Sequence, residues 1–317
     1  MNPSVRMKRA LSGVVTRLNG WRIAAITLAV VLAFATQAPS TIPYSPDLAR
    51  EVANLATQLH KFQQEQSMPV QVLNRYRDSI CFIYGIYSFT GSDGTIYRRV
   101  GVSGTGFVVA KGVVATNRHI AKPWVDDDES EMLTRGGAQP HLDEILAFFP
   151  GQHDGTRLVD VRVSAKSDLA VARIGNIEQP AELKPLPLSE ALAIPGESVV
   201  VVGYPMGTTA MLAKSPQSAD HRLASKGRLE LTRELAARSL IRPLATYGHL
   251  GDVLEDKLVY DAVTARGGSG GPVFDRSGEV IGINTAYLDG FSGSTMGISV
   301  KALKPLLEAA ERKHGSE

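Results

Sequence analysis

From Ser79 onward the chain is a succession of short apolar runs broken by glycine-bearing turns, a rhythm that restricts the fold sharply. Ile80 to Phe89 and Thr95 to Val102 flank Gly91-Ser-Asp-Gly94, a hairpin signal. Gly106 to Val109, Glu144 to Phe149, Asp168 to Ile174, Ser198 to Val202, Lys257 to Tyr260 and Val280 to Ile283 follow as further strands. Many short strands at close spacing predict an all-β barrel or sandwich, not alternating strand–helix units.

Helical patterns lie at the margins and in one interruption. Ser45, Pro46 and Asp47 make a helix start: a capping hydroxyl, a proline at the first helical position and an acid in the first turn. Leu48, Val52, Leu55, Leu59 and Phe62 then recur at helical spacing, in a helix expected to end before Pro69. The segment from Lys214 to Arg242 reads as a helical insert in which seven Lys and Arg face three acids. Glu234 and Arg238, four apart, suit a solvent-facing helix. A partner for this basic insert at 214–242 is the sharper reading, a solvated face the plainer one. Lys301 to Lys313, apolar at Leu303, Leu306, Leu307 and Ala310, reads as a docking helix. Asp126 to Glu131 packs five acids into six residues and reads as a solvated loop, with a cation site as the alternative.

The charge distribution bears on compartment. The formal charge is +2, yet Arg6, Lys8, Arg9, Arg17 and Arg22 stand in a start that holds no acid, which leaves −3 for everything after it. Without the insert's net +4 the remainder falls to −7, and a nucleic-acid partner loses its support. Ile23 to Ala35 is apolar except for Thr27, with small residues at Ala33 and Ala35. A basic start, a short apolar core and small residues form a secretory signal pattern. Residues 1–38 therefore read as a signal peptide or a retained signal anchor, and the rest is expected to be exported to the periplasm or held at the inner membrane facing it. Residues 39–78 form the N-terminal helix and linker. The single cysteine, Cys81, cannot close an intrachain bridge and reads as a small core residue.

Three strings carry chemistry together: Thr116-Asn-Arg-His-Ile-Ala121, Ser167-Asp-Leu-Ala-Val171 and Arg266-Gly-Gly-Ser-Gly-Gly-Pro-Val273. Serine becomes a good nucleophile when a neighbouring base removes its proton. Histidine titrates near enough to neutrality to take that proton and return it to a leaving amine. A carboxylate fixes the imidazole tautomer and stabilises the imidazolium. His119, Asp168 and Ser269 are the candidates, with the N–H groups of Gly267 and Ser269 as the oxyanion hole. Each string alone is weak; their conjunction, each beside a strand, is strong. Gly267-Gly-Ser-Gly-Gly271 also satisfies the nucleophile elbow of α/β-hydrolases, but that fold runs serine, acid, histidine. Here the only histidine after Ser269 is His314 in the polar tail, which removes that reading.

At these residues the sequence resembles the trypsin-like serine peptidases, and more closely their bacterial HtrA-type branch. Leu186 to Gly207 resembles that family's inter-barrel linker and first second-barrel strand, and Gly278 to Ala286 resembles the strand that pairs with the substrate backbone. The resemblance implies two six-stranded antiparallel β-barrels in a protease domain at 79–317, the first at about 79–187 and the second at about 188–303 with an insert at 214–243. It implies a serine endopeptidase acting on polypeptides through an acyl-enzyme, with no cofactor. Val263, six residues before the serine, stands where an acid would select Lys or Arg, with Thr264 beside it, so a small or apolar primary pocket is expected. The substrate is expected to add as a strand along Ile283, Asn284 and Thr285. No metal site is expected: His119 and His141 lack partners at ligand spacing, and Asp126 to Glu131 lacks the EF-hand glycine pattern.

Three departures stand out. The residue before the nucleophile, usually Asp or Asn in the family, is Gly268, so the loop is expected to lose a side-chain anchor. The region from Pro205 to Asp261 is long. Fourteen residues follow Leu303, so the family's C-terminal PDZ module is not expected. Gly268 and the insert also keep one rival open, a catalytically silent binding or scaffold protein of the cell envelope, and an enzyme that cleaves itself once and stops is a third reading.

Overall fold

The computed structural model describes residues 46–125, 127–175, 183–213, 225–287 and 295–312. The leader, Asp126, the first part of the insert and His314 lie outside the described residues. Among the described residues no helix is long and apolar enough to cross a membrane. The chain divides into two compact units, one ending at Lys61 and one beginning at Phe62. In the first, the described residues are the opening turns of helix α1 (Pro46–Tyr76), where Val52, Leu55 and Leu59 are exposed.

The second unit holds two barrels, each built from one contiguous stretch of chain. Strands β1 (Ile80–Thr90), β2 (Ile96–Ala110), β3 (Val113–Thr116), β4 (Gln139–Phe148), β5 (Thr156–Val163) and β6 (Ala170–Ile174) close in the order β1-β2-β3-β6-β5-β4. Strands β7 (Ser198–Gly203), β8 (Leu244–Leu254), β9 (Lys257–Tyr260), β10 (Pro272–Phe274), β11 (Val280–Tyr287) and β12 (Thr295–Ser299) close in the order β10-β11-β12-β9-β8-β7. Every strand-to-strand pairing within the barrels is antiparallel. The expected pair of six-stranded barrels is therefore the fold, and closure leaves neither sheet with an unpaired edge strand.

One apolar cluster runs between the barrels, joining Phe82, Phe107 and Phe148 of the first to Val200, Phe274 and Ile283 of the second. Tyr204 crosses the boundary: its ring meets Phe82 edge-on and its hydroxyl donates to the Ile80 carbonyl at 2.9 Å. The lower part of α1 joins this cluster through Met68, Val72 and Tyr76, and Tyr76 stacks on Phe274 at 5.5 Å between ring centroids.

That packing explains why α1 runs through Pro69, where the sequence predicts a stop. An interior proline costs a helix about 3 kcal/mol. Burial of Met68, Val72 and Tyr76, at about 1.5–3 kcal/mol for each large apolar side chain, outweighs it. The acidic run also differs from its expected loop. Residues from Asp128 form α3 (Asp128–Arg135), after α2 (Arg118–Ala121). The Asp127 carboxylate caps it, accepting from the Ser130 N–H at 2.9 Å, and three acids stand in the first turn where the helix dipole favours them.

Helix α4 (Gly207–Leu212) precedes the insert, the insert contributes α5 (Arg228–Ala237), and the chain's described part ends in α6 (Lys304–Arg312). Helix α5 is not free in solvent: Leu231, Leu235 and Ala236 are buried. Three cations of the insert, in and beside this helix, have local partners: Lys226 with Glu230, Arg238 with Glu234 and Arg233 with Asp154.

Candidate active site

Strands β3 and β6 are neighbours, with Thr116 opposite Ala170. The residue lifted just past the end of β3 therefore faces the residue just before β6. These are His119, raised on the single turn of α2, and Asp168. The His119 Nδ1 lies 2.7 Å from Asp168 Oδ2, and the His119 backbone N–H donates to Asp168 Oδ1 at 2.9 Å. The Asn117 amide nitrogen donates to the Asp168 carbonyl at 2.8 Å and holds the turn. A carboxylate on Nδ1 fixes the tautomer with its proton there, leaving Nε2 as the free base.

The second barrel adds one more donor. The β11–β12 register shifts between Asn284 and Ala286, so Thr285 has no opposite residue. This bulge turns the Thr285 hydroxyl onto Asp168 Oδ2 at 2.6 Å. Burial raises the Asp168 carboxyl, but the His119 ring, its charge, the Thr285 hydroxyl and the His119 N–H together outweigh it. The carboxyl is held below its ordinary range.

Ser269 sits on a glycine-rich loop clamped from two sides. On one side Gly270 N–H donates to the Asn284 carbonyl at 2.7 Å, and Asn284 N–H donates to Gly271 at 2.8 Å. On the other, Thr105 N–H donates to the Ser269 carbonyl at 2.8 Å and the Thr105 hydroxyl donates to the Gly267 carbonyl at 2.7 Å. Two glycines are required for this closeness. Gly267 and Gly270 have φ of +96° and +86°, and a Cβ on Gly267 would stand 2.5 Å from the Tyr204 carbonyl. The Arg266 carbonyl is turned aside to accept the Met206 N–H at 2.7 Å. Among the described residues the N–H groups of Gly267 and Ser269 meet no acceptor. The Ser269 hydroxyl donates to the Thr285 carbonyl at 3.1 Å.

The remaining expected site residues divide. Ile283 is wholly buried and paired on both sides, with Pro272 and Ile298. Asn284 is buried, and its N–H and carbonyl are taken by the loop. Among the described residues no strand pairs with Thr285 to Tyr287 on the β10 side, so the open edge of β11 starts at Thr285. Val263 is 69% exposed. Thr264 points inward and accepts the Asn284 amide at 3.3 Å, while Tyr260 donates to Asn284 Oδ1 at 2.7 Å. This chain of three side chains fills the space beside Gly268 and supplies support where an anchor was expected to be lacking.

Sequence reasoning missed Thr105, Asn117 and the hydroxyl role of Thr285. Asn117, two residues before the histidine, is a local signal that the sequence carries. The other two depend on long-range pairing and left none. Among the described residues no group of three or more His, Cys, Asp or Glu comes together as a metal site.

Two closed six-stranded barrels with an imidazole–carboxylate pair on one and a glycine-cradled serine on the other define the trypsin-like double-barrel class. The profile of the trypsin-like peptidase domain matches residues 104–283, and the chain belongs to that family. It is 31% identical over 202 residues to a "Probable periplasmic serine endoprotease DegP-like" of Chlamydia muridarum, covering 63% of this chain and 31% of that protein. It is 28% identical over 201 residues to "Protease Do-like 1, chloroplastic" of Arabidopsis thaliana, covering 62% and 36%. The chain thus spans only about a third of the length of these relatives. The crystal structure of a serine endoprotease from Yersinia pestis superposes with a TM-score of 0.48 at 18% identity, covering 76% of this chain and 66% of that one.

Proposed function

We propose that the chain is an exported serine endopeptidase in which His119 is the general base, Asp168 its orienting carboxylate and Ser269 the nucleophile. The observation that carries this reading is the 2.7 Å pairing of His119 Nδ1 with Asp168 Oδ2, because it leaves Nε2 as the acceptor for a serine proton. A polypeptide adds along the open edge from Thr285 to Tyr287, two residues beyond the expected start at Ile283. Its backbone N–H competes with Ser269 for the Thr285 carbonyl, and the released hydroxyl turns to His119. The Gly267 and Ser269 N–H groups hold the oxyanion, where removal of one donor costs about 10²–10³ in turnover. His119 returns the proton to the leaving amine, and water then releases the acyl group by the reverse sequence. With no acid at Val263, the primary pocket takes a small or apolar side chain. The basic, apolar start supports export, as a cleaved signal or a retained anchor. A polypeptide is the partner; the pairing of Lys226, Arg233 and Arg238 with nearby acids gives the insert no commitment to another.

Labelling by a fluorophosphonate, together with casein cleavage abolished by Ser269→Ala, tests the reading. A wild-type protein that neither labels nor cleaves would sink it. One observation favours the silent-scaffold alternative: the Ser269 hydroxyl rests on Thr285 and not on His119. That alternative expects no labelling even when a peptide ligand occupies the β11 edge.

A further inference from the structure

The turn from Tyr204 to Gly207 follows β7 and takes no part in the mechanism above, yet it lies directly against the serine loop. Met206 N–H donates to the Arg266 carbonyl, Tyr204 N–H donates to the Thr105 hydroxyl at 3.0 Å, and that hydroxyl in turn holds the Gly267 carbonyl. Gly207 closes the turn onto Tyr204 at 2.9 Å. This is the flank of the loop opposite β11. A substrate whose N-terminal half pairs with Thr285 to Tyr287 must send its leaving half out on this side.

Met206 is conspicuous there for two independent reasons. It has φ of +62°, a left-handed conformation that a long side chain disfavours by about 1–2 kcal/mol. It is also 59% exposed, so its thioether gains little packing within the fold to offset that strain. A strained, outward-facing apolar side chain held by a backbone bond to the residue before Gly267 suits contact with a ligand. Its thioether is flexible and polarisable, suited to apolar side chains of varied shape.

Building on the peptidase reading, we propose that Met206 selects apolar residues immediately after the scissile bond. The contact acts on the leaving half of the substrate, separately from whatever fills the primary pocket.

The test uses the purified full chain and quenched fluorescent peptides identical up to the cleaved bond, carrying Leu, Ser or Asp directly after it. Asn and Gly both tolerate the left-handed conformation, so Met206→Asn and Met206→Gly keep the turn. Wild type should favour Leu over Ser and Asp. Both variants should lose about 5–10-fold of that Leu-to-Ser preference in kcat/KM, the range expected of one partly exposed apolar contact. Met132→Ala, at an exposed methionine on α3, should leave the ratio unchanged. The ratio is insensitive to the amount of active enzyme, so a general structural effect does not move it. Active variants with a Leu-to-Ser ratio within twofold of wild type would overturn the assignment alone. A wild type that cleaves no peptide and takes up no fluorophosphonate would overturn it together with the peptidase reading.

Discussion

Gly268→Ala probes how the serine loop is supported. Its φ is not in the left-handed region, so alanine carries no backbone penalty there. The penalty comes from space. A Cβ at this position would overlap Thr264 Oγ1 and stand 3.1 Å from the Ala265 carbonyl and 3.5 Å from Asn284 Nδ2. Thr264 can swing its hydroxyl away only by abandoning Asn284, a buried amide whose carbonyl oxygen already holds Tyr260. A buried donor left without a partner costs about 1–3 kcal/mol. Overpacking, if Thr264 stays, costs a similar ~1–3 kcal/mol. Gly268→Ala should therefore lower unfolding free energy by about 1–3 kcal/mol in urea titrations at constant m-value. In a Thr264→Ala background the obstructing oxygen is gone and the same change should cost less than about 0.5 kcal/mol, a coupling typical of residues in contact. Additive single and double mutants would refute the argument, as would a Gly268→Ala protein as stable as wild type. The same crowding predicts that aspartate or asparagine, usual at this position in the family, is disfavoured in this chain.

Thr285→Val removes one stabilising donor from Asp168, and a hydrogen bond to a charged group is worth about 1.5–3 kcal/mol. Peptidase kcat should fall by at most about 10–100-fold. The Asp168 carboxyl, held low in the native protein, should titrate higher in the variant. The stability contributed by the ionised carboxylate is lost as pH falls, so the difference in unfolding free energy between wild type and variant should narrow toward acid pH, and a difference that stays constant would count against the assignment. Cys81 is fully buried and burial pushes its thiol well above the ordinary range, so iodoacetamide should label it in urea but not in the native protein. Stoichiometric native labelling would contradict the packing of β1. Tyr76→Ala removes the ring stacked on Phe274 and should cost about 3–5 kcal/mol of stability; a loss below ~1 kcal/mol would mean that the lower part of α1 is not docked as described.

What the sequence made legible follows from what is local. The three strings carry their chemistry in adjacent residues, and neighbouring strands bring the histidine and carboxylate strings together. Strands such as Ile80 to Thr90 and Ser198 to Gly203, apolar on both faces, announce themselves. Strands β5 and β8 do not, because exposed polar residues such as Arg157, Asp160, His249 and Asp252 interrupt any simple alternation. The three residues of β10 are too few to show a period. The helix runs past the stop that Pro69 signals locally because Met68, Val72 and Tyr76 are held by a barrel assembled from residues far along the chain. That the open edge of β11 starts at Thr285, and not at Ile283 where the substrate strand is expected to begin, is hidden from the sequence for the same reason. Pairing of Ile283 on both sides and the bulge at Thr285 exist only once β10 and β12 are in place.

Each barrel being one unbroken stretch of chain has a consequence for synthesis. The imidazole and its carboxylate are complete when the first barrel is, while the serine and the hydroxyl of Thr285 arrive with the second. At about 5–20 residues per second, the stretch separating Asp168 from Ser269 takes several seconds to emerge from a ribosome. On the proposed peptidase reading, the nascent chain carries during that interval a base with nothing to deprotonate. On that reading full reactivity requires both halves folded and docked, and a truncated or half-folded product should be inert toward its neighbours. The two barrels expressed as separate polypeptides should likewise be silent alone and recover fluorophosphonate labelling only on mixing.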